Sequence, residues 1–532
     1  MKLNRKRANQ KGVALIFAMI FILVLSITAA AMMFLSQSET WSSMNYRLMT
    51  QSRYGAEAGL HAAANYLITS YPQPGVSPSD PITAYNMNVS PVTLTAGVAP
   101  IAMGVTMNGI SPNYPVASTL SAFDTATQKS LPAGNTSVNY TVSAELMSMR
   151  QVQECQNLQN LTAQLWKLTS HGDMTSVHNA DLEVSALLES HVTPCYNYAG
   201  FATGSGCGSI SFNGGGTIDS YDSANMTLSG GNPVTQLYEG NLGSNGNVNT
   251  AANTVINGTF SSPDTGVGAC GAGGGVDALS GNTTAVTGCG TSPTNCLAAP
   301  GLVTLPQTVT MVTPQIPTAV PMPATNINNG SAPITLTPCI VNCPSNGTTG
   351  AANGNYGNIG VTGGASNVVT FVPGINSSGA CVPGTYYVNS ISLAGNASIA
   401  IGPCPGTGPG TGVAAVYQPV IINVVGAGQS TPLDIGGNGI SNTSFNSTLL
   451  QIQYAGTGTI DLHGNGQSSA VLYAPNAPIT FTGNANWYGS VIGSTIGSSG
   501  NASVAIHYDR ALQRNLMTVG NWTLDTFTWS KF

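Results

Sequence analysis

Residues 13–35 read VALIFAMIFILVLSITAAAMMFL, 23 positions without a charge. Coiled as an α-helix, such a run is about 35 Å long, enough to cross a hydrocarbon layer of about 30 Å. The preceding MKLNRKRANQKG (1–12) holds Lys2, Arg5, Lys6, Arg7 and Lys11. A basic flank of this kind stays on the cytoplasmic side, so everything beyond Leu35 is expected outside. The apolar run exceeds the roughly 7–15 residues of a cleaved signal peptide's core, which argues for a helix that is kept. A simple membrane anchor fits the same composition.

The helix is expected to run well past the apolar stretch. Trp41, Met44, Leu48, Ala56, Leu60, Ala63 and Leu67 recur mostly three or four positions apart, which makes one apolar stripe. Glu39, Arg47, Arg53, Glu57 and His61 supply the polar side, and Pro72 and Pro74-Gly75 end the pattern. KGVALIFAMIFILVLSITAAAMMFL, followed by ETWSSMNYRLMTQSRYGAEAGLHAAANYL, resembles the PilX N-terminal family of pilus assembly proteins over roughly residues 11–70. The resemblance is carried by the basic leader, Gly12 before Val13, and Ala56-Glu57-Ala58-Gly59.

The resemblance implies a prepilin-type leader (1–12) cut between Gly12 and Val13, and a membrane and assembly helix (13–70) bearing Val13, Phe17 and Leu35. It implies other pilins and minor pilins, a prepilin peptidase and an inner-membrane assembly platform as partners. The expected location is the inner membrane, crossed once with the N-terminus cytoplasmic, and then the pilus or cell surface. Phe17 stands at the fifth position after the expected cut, where major pilins carry a Glu used in docking. That departure favours a minor pilin, or the large minor pseudopilin of type II secretion, over a major subunit.

The 532 residues exceed what one ordinary core organises, and only 6% are charged. Five of the 13 basic residues lie in the leader, so the rest carries eight against 19 acidic residues, a net of −11. Such a surface repels phosphates, and no nucleic-acid partner is expected. The 64 glycines follow no three-residue period, which excludes collagen, and the 42% hydrophobic content opposes disorder.

The fold class expected is mainly β with a long N-terminal α-helix. A pilin-like head (71–192) begins with loops over 71–130. Strand candidates follow at SVNYTVSAEL (137–146), LWKLTSHG (165–172) and LEVSALLES (182–190), although AQLWKLT could instead finish a helix begun near Gln151. An antiparallel sheet of such strands would bury the helix stripe.

A Gly- and Asn-rich domain is expected over 193–515, where from about Cys195 short β-branched stretches alternate with Gly-Asn turns, as in ISLAGNASIAIG (391–402) and LDIGGNGIS (433–441). Asn recurs at 396, 438, 465, 484 and 501, at separations of 42, 27, 19 and 17 residues. A right-handed parallel β-helix fits: inward Val, Ile and Leu stack, and Gly and Asn take the corners. An antiparallel β-sandwich with Gly-Asn hairpins is the alternative. Pro300, Pro306, Pro314, Pro317, Pro321 and Pro323 mark residues 262–346 as an insertion, and 516–532 as a C-terminal tail. The block 471–512 also resembles a C-terminal region of PilX-like proteins and some surface adhesins, through Tyr473-Ala474-Pro475-Asn476, Gly483-Asn484, Tyr488-Gly489 and His507-Tyr508-Asp509.

All ten cysteines follow residue 150, and an even number in an exported region points to disulfides. Sequence-local pairs are the expectation: Cys195–Cys207, Cys339–Cys343 and Cys381–Cys404. No metal or cofactor is expected. His171, Asp173 and His178 fit no metal spacing better than a polar turn, and Cys339-x-x-x-Cys343 has no second pair or His beside it to bind zinc. Asp219, Asp222, Asp461, His463, His507, Asp509 and Arg510 are the ionisable residues closest to a catalytic set, without a G-x-S-x-G, P-loop or H-E-x-x-H signal. No enzyme is expected. The function expected is a minor pilin-like component acting in pilus assembly or initiation, with adhesion to a surface or glycan ligand through the large β region. The alternative is a membrane-anchored β-helix adhesin or carbohydrate-active protein outside any pilus.

Overall fold

The computed structural model describes residues 11–531 except 76–78, 134–135, 156–159, 175–179, 250–253, 269, 271–274, 281–283, 287–300, 321–323, 329–332, 340–353, 378, 464–466 and 500–502. The chain divides into two compact units. The first comprises Met1–Gln151, Asn160–Val192 and Val519–Phe532; the second comprises Val152–Gln159 and Thr193–Thr518.

The first unit is organised by one helix, α1 (Lys11–Thr69), unbroken because nothing before Pro72 denies it a hydrogen bond. Beside it lie β1 (Ala102–Gly104), a helix α2 (Ala117–Thr127), β2 (Lys129–Ala133), β3 (Thr136–Gln153), β4 (Asn160–Met174) and β5 (Ala180–Pro194). The strands form a six-stranded sheet in the order β1, β3, β4, β5, C-terminal strand (Met517–Lys531), with β2 on β3. β1 and β2 pair antiparallel to β3, and β4 to β5. The three strand candidates lie within β3, β4 and β5, so AQLWKLT is strand and not the end of a helix. Helix α2 was not foreseen in the 71–130 loops.

The stripe of α1 is buried from Leu48 onward, through Ala56, Leu60, Ala63 and Leu67, whereas Trp41 and Met44 stay exposed. Glycine lets helix and sheet approach closely. A Cβ at Gly172 on β4 would lie 2.6 Å from the Ala56 amide nitrogen, and one at Gly59 would lie 2.7 Å from the Tyr140 ring. Ser52, fully buried, donates to the Gly172 carbonyl and, at 3.1 Å, to that of Ala180. Tyr85 (2.7 Å) and Tyr114 (2.5 Å) donate to the buried carboxyl of Asp80. Burial above all pushes both phenols far up, so they remain donors at any physiological pH.

The second unit is built on parallel ladders. One inward row is Ile359, Ile391, Leu433, Ile460, Ile479, Ile496, Ile210, Val248 and Leu279, each paired in register with the next. Another is Tyr386, Ile422, Ile452, Leu472, Val491, Gly200, Leu242 and Phe260. The apolar members of both rows are at most 1% exposed. These pairings are parallel, unlike those of the antiparallel sandwich offered as the alternative. At one corner the Asn438 side chain donates to the Asn396 carbonyl (2.9 Å), while Asn465 and Asn501 lie outside the described residues.

The stacking order is not the chain order. Residues 200–202 pair with 491–493 on one side and with 242–244 on the other. The chain thus enters the stack at its middle, builds outward to 302–304, restarts at 325–327, and builds back to 504–509, beside 216–221. Residues 262–346 are therefore no simple insertion, since Thr284–Val286 and Leu302–Thr304 stack on 254–256 and 260–262. The strand-free run after Leu305 lies along the outside. Asn245 exchanges two hydrogen bonds with the Val309 backbone (2.7 and 2.9 Å), and Tyr473 donates to the Val312 carbonyl (2.6 Å).

Residues 516–532 are not a tail. The C-terminal strand pairs beside β5, and Trp522 and Leu524 pack on the core of the first unit. Contacts at Cys195–Leu516, His191–Gly520 and Ser185–Thr528 run in opposite directions along the chain, as antiparallel neighbours must. The second unit is thus inserted between two adjacent strands of the first unit's sheet.

Disulfides join Cys155 to Cys195, Cys207 to Cys270 and Cys381 to Cys404. Cys195 and Cys207 are not partners of each other, because each is brought by the ladder against a cysteine more distant in sequence. Cys339 is disulfide-bonded, and Cys343 lies outside the described residues.

Replacing Gly172 by Val should force helix and sheet apart and lower the stability of the first unit by about 1–3 kcal/mol. Denaturant unfolding of the full chain, with hydrogen exchange read on 160–174, measures this; unchanged protection would contradict the packing described.

Candidate functional site

Among the described residues, nothing in this chain covers the apolar stretch of α1 from Val13 to Leu35. From Val13 to Leu35 the large apolar side chains are 51–74% exposed, including Val13 at 55%, Phe17 at 67% and Leu35 at 63%. Covering each such side chain is worth about 1.5–3 kcal/mol, so this rod is stable only in lipid or against other apolar surfaces. The helix is long and apolar enough to cross a membrane. Ser26 and Thr28 return their hydroxyls to carbonyls one turn back, which removes the polar groups that would oppose such an environment. Helix α1 begins at Lys11, so Gly12 and Val13 lie in its first turn. Farther on, Arg53 and Glu57 form an exposed i,i+4 pair at 2.7 Å, which contributes only a few tenths of a kcal/mol.

The ionisable residues of the second unit are mostly engaged with one another. Asp219, His507 and Tyr488 occupy neighbouring rungs. His507 Nδ1 is 2.5 Å from Asp219 Oδ1, and the Tyr488 ring stacks on the imidazole at 4.5 Å. Asp461 and His463 share one face of their strand, but His463 bonds across the ladder to Asp434 (2.6 Å), while Thr482 donates to Asp461 (3.1 Å). In the first unit His171 meets Glu183 at 2.8 Å and Asp181 at 3.4 Å, and Asp173 sits opposite Asp181. His178 lies outside the described residues. Among the described residues no three His, Cys, Asp or Glu side chains are grouped to hold a metal ion.

Asp509 is fully buried and accepts from the Ser223, Ala511 and Ser447 amides and from the Ser447 hydroxyl, all within 3.1 Å. Burial raises its pKa, and these donors only partly offset the rise. Nearby, Tyr221 donates to the Phe445 carbonyl (2.6 Å). Both groups brace the loop 442–447, which ordinary sequence signals did not mark; its one hint is a lone Phe445 within the polar run SNTSFNST.

Residues 11–61 match the model of the PilX N-terminal family. The match covers the whole uncovered apolar rod and the first turns of α1 that seat on the sheet. Residues 419–515 match a domain of unknown function (DUF7305), which takes in the later of the returning rungs of the second unit, from Val420 to Asp509. The crystal structure of the competence-associated pilin ComZ from Thermus thermophilus aligns over 91% of this chain and 98% of that chain, at 14% identity and a TM-score of 0.25, too low to argue from. No curated protein matches. The PilX-type helix thus joins an uncovered apolar half to a half locked into a sheet.

Asp509→Asn should cost about 1–3 kcal/mol, because an amide group presents donors to the four donors already there. Denaturant unfolding and faster amide exchange at Ser447 would register it. Asp222 behaves differently: burial pushes its carboxyl up, but Arg514 at 2.5 Å and the Ala224 amide outweigh burial and the pKa falls. A lowered folded-state pKa adds stability at neutral pH that is lost as pH falls through it, whereas the raised Asp509 favours the acid side. Arg514→Gln should therefore flatten the rise of thermal stability from acid to neutral pH; an unaltered pH profile would refute the assignment.

Proposed function

We propose that this chain is a minor pilin-like component of a type IV pilus or related filament. The observation that carries this reading is the PilX-type helix itself, bare of cover from Val13 to Leu35 and seated in a sheet from Leu48. Such a rod suits an inner membrane first, crossed once with the N-terminus cytoplasmic, and then the helical core formed with other pilins. Residues 1–12 serve as the leader, and prepilin peptidase cuts between Gly12 and Val13 before the assembly platform takes up the mature chain. Phe17 lacks the carboxylate that docks a repeating subunit, which favours a rare position.

The second unit reads as a right-handed parallel β-helix. Its unbroken apolar rows and in-register parallel rungs support this over a sandwich. A body of this size is hard to repeat along a thin filament, so the tip is the position it suits. There it initiates assembly, binds a surface, or does both, with no catalytic step assigned.

In cells with an active prepilin peptidase, N-terminal sequencing should give Val13 as the first residue, and Gly12→Leu should leave the leader attached. A mature chain starting beyond Leu35 would end the filament reading. Because Cys195 and Leu516 are neighbours, excising 196–515 and closing the gap with a short turn should leave the first unit folded. If the second unit serves only adhesion, that deletion strain makes pili that fail to attach; if it is needed for initiation, pili are lost.

A further inference from the structure

One groove in the second unit is lined without any ionisable side chain. It encloses about 570 Å³, and its polar lining is Ser398, Asn438, Ser441, Asn442, Thr443 and Gln467. Val368 and Ile440 give it an apolar floor. We propose that this groove binds an uncharged oligosaccharide. The proposal deepens the adhesive reading above, although the binding itself needs no pilus.

The chemistry of the lining selects the ligand. A charged ligand would leave its water for a site with no countercharge, and an apolar one would strand hydroxyl and amide groups without partners. A neutral sugar answers both, since its hydroxyls pair with Ser, Thr, Asn and Gln while its C–H face lies on Val368 and Ile440. The floor is a ladder in which Val368, Ser398 and Gly439 stand in parallel register. Strands in such a ladder are about 4.8 Å apart, so the apolar Val368 and the polar Ser398 stand on adjacent steps within the length of one sugar ring.

The loop forming one wall is set in advance. Ser444 donates to Asn442 (2.7 Å), Asn442 donates to the Asn446 carbonyl (2.9 Å), and Asn446 accepts from the Thr448 hydroxyl (2.6 Å). Phe445 holds φ at +50°, a left-handed conformation costly for a bulky residue and kept by the Tyr221 and Asp509 braces beneath. Gln467 donates to Asn232 of the hairpin Leu228–Pro233, which borders the groove through Gly231. Little side-chain freedom is left to lose on binding. An extended peptide is a poorer occupant. Strand 398–401 is already paired on both sides, and the Ile440 amide is taken by Ser468 (3.2 Å), so neither offers the free backbone groups that strand addition needs.

The test uses the full chain in detergent, titrated by calorimetry with maltohexaose, cellohexaose, mannohexaose and chitohexaose, and with oligogalacturonate and an unstructured neutral peptide as contrasts. At least one neutral sugar should bind. The double variant Ser441→Ala, Thr443→Val should weaken that binding at least tenfold, and Ala365→Trp should abolish it by filling the groove. All three positions are exposed, so unchanged thermal unfolding is expected and excludes misfolding as the cause. No binding of any neutral sugar, indifference to both variants, or preference for oligogalacturonate or the peptide would each overturn the proposal. None of these outcomes depends on leader processing, so the filament reading fails or stands separately.

Discussion

A single uninterrupted helix has to satisfy two solvents, and the molecule is arranged around that demand. Its first half is uncharged and almost wholly apolar from Val13 to Leu35, and that stretch is stable only where water is kept away. Its second half is buried against a sheet from Leu48 onward. Close approach achieves this. Gly172 lets backbone meet backbone, Gly55 and Gly59 let side chains of the sheet reach the helix axis, and Ser52 ties the helix to two strands at once. A larger side chain at any of these points would loosen that seat.

The second unit meets a different difficulty. With so few charges, it relies little on ion pairs, and large buried side chains such as Trp487, Tyr386 and Phe260 fill its interior. Its stability comes from completed backbone ladders and from rows of like residues in contact along the stack. The few ionisable groups mostly pair across rungs, as His507 with Asp219 and His463 with Asp434, where a helix or loop protein would have spread them over its surface. Asp509 is the exception in kind: a buried carboxyl kept by four donors, it is an anchor for a loop.

Much of this was legible from sequence where the cause is local. The uncharged run, the stripe ending at Leu67 and the alternation in 137–146 and 182–190 each depend on neighbours a few residues away. Stacking order is a different matter. Every rung offers a similar Ile or Val, so nothing in 200–202 announces that its partners are 491–493. The proline run looked like an excursion because prolines cannot join a ladder; here that inability suits a strap laid outside one. The C-terminal strand carries apolar Trp522 and Leu524 at alternate positions, yet Thr528 meets Ser185, 343 residues away. Cysteine pairing divides the same way: Cys381–Cys404 spans 23 residues and was foreseeable, whereas Cys207–Cys270 spans 63 and was not. The loop at Phe445 escaped notice because its rigidity comes from Tyr221 and Asp509, far off in sequence.

Entering the stack at its middle also governs the order in which the chain can mature. Ser185 and Thr528, 343 positions apart, touch in the finished sheet. Closing so long a loop directly is entropically unfavourable and slow. Once the inserted unit has condensed, however, the Cys195 amide and the Leu516 carbonyl are 3.2 Å apart, and the last strand needs to close only the equivalent of a hairpin. The first unit's sheet thus gains its final edge only after the bulk of the polypeptide has been made.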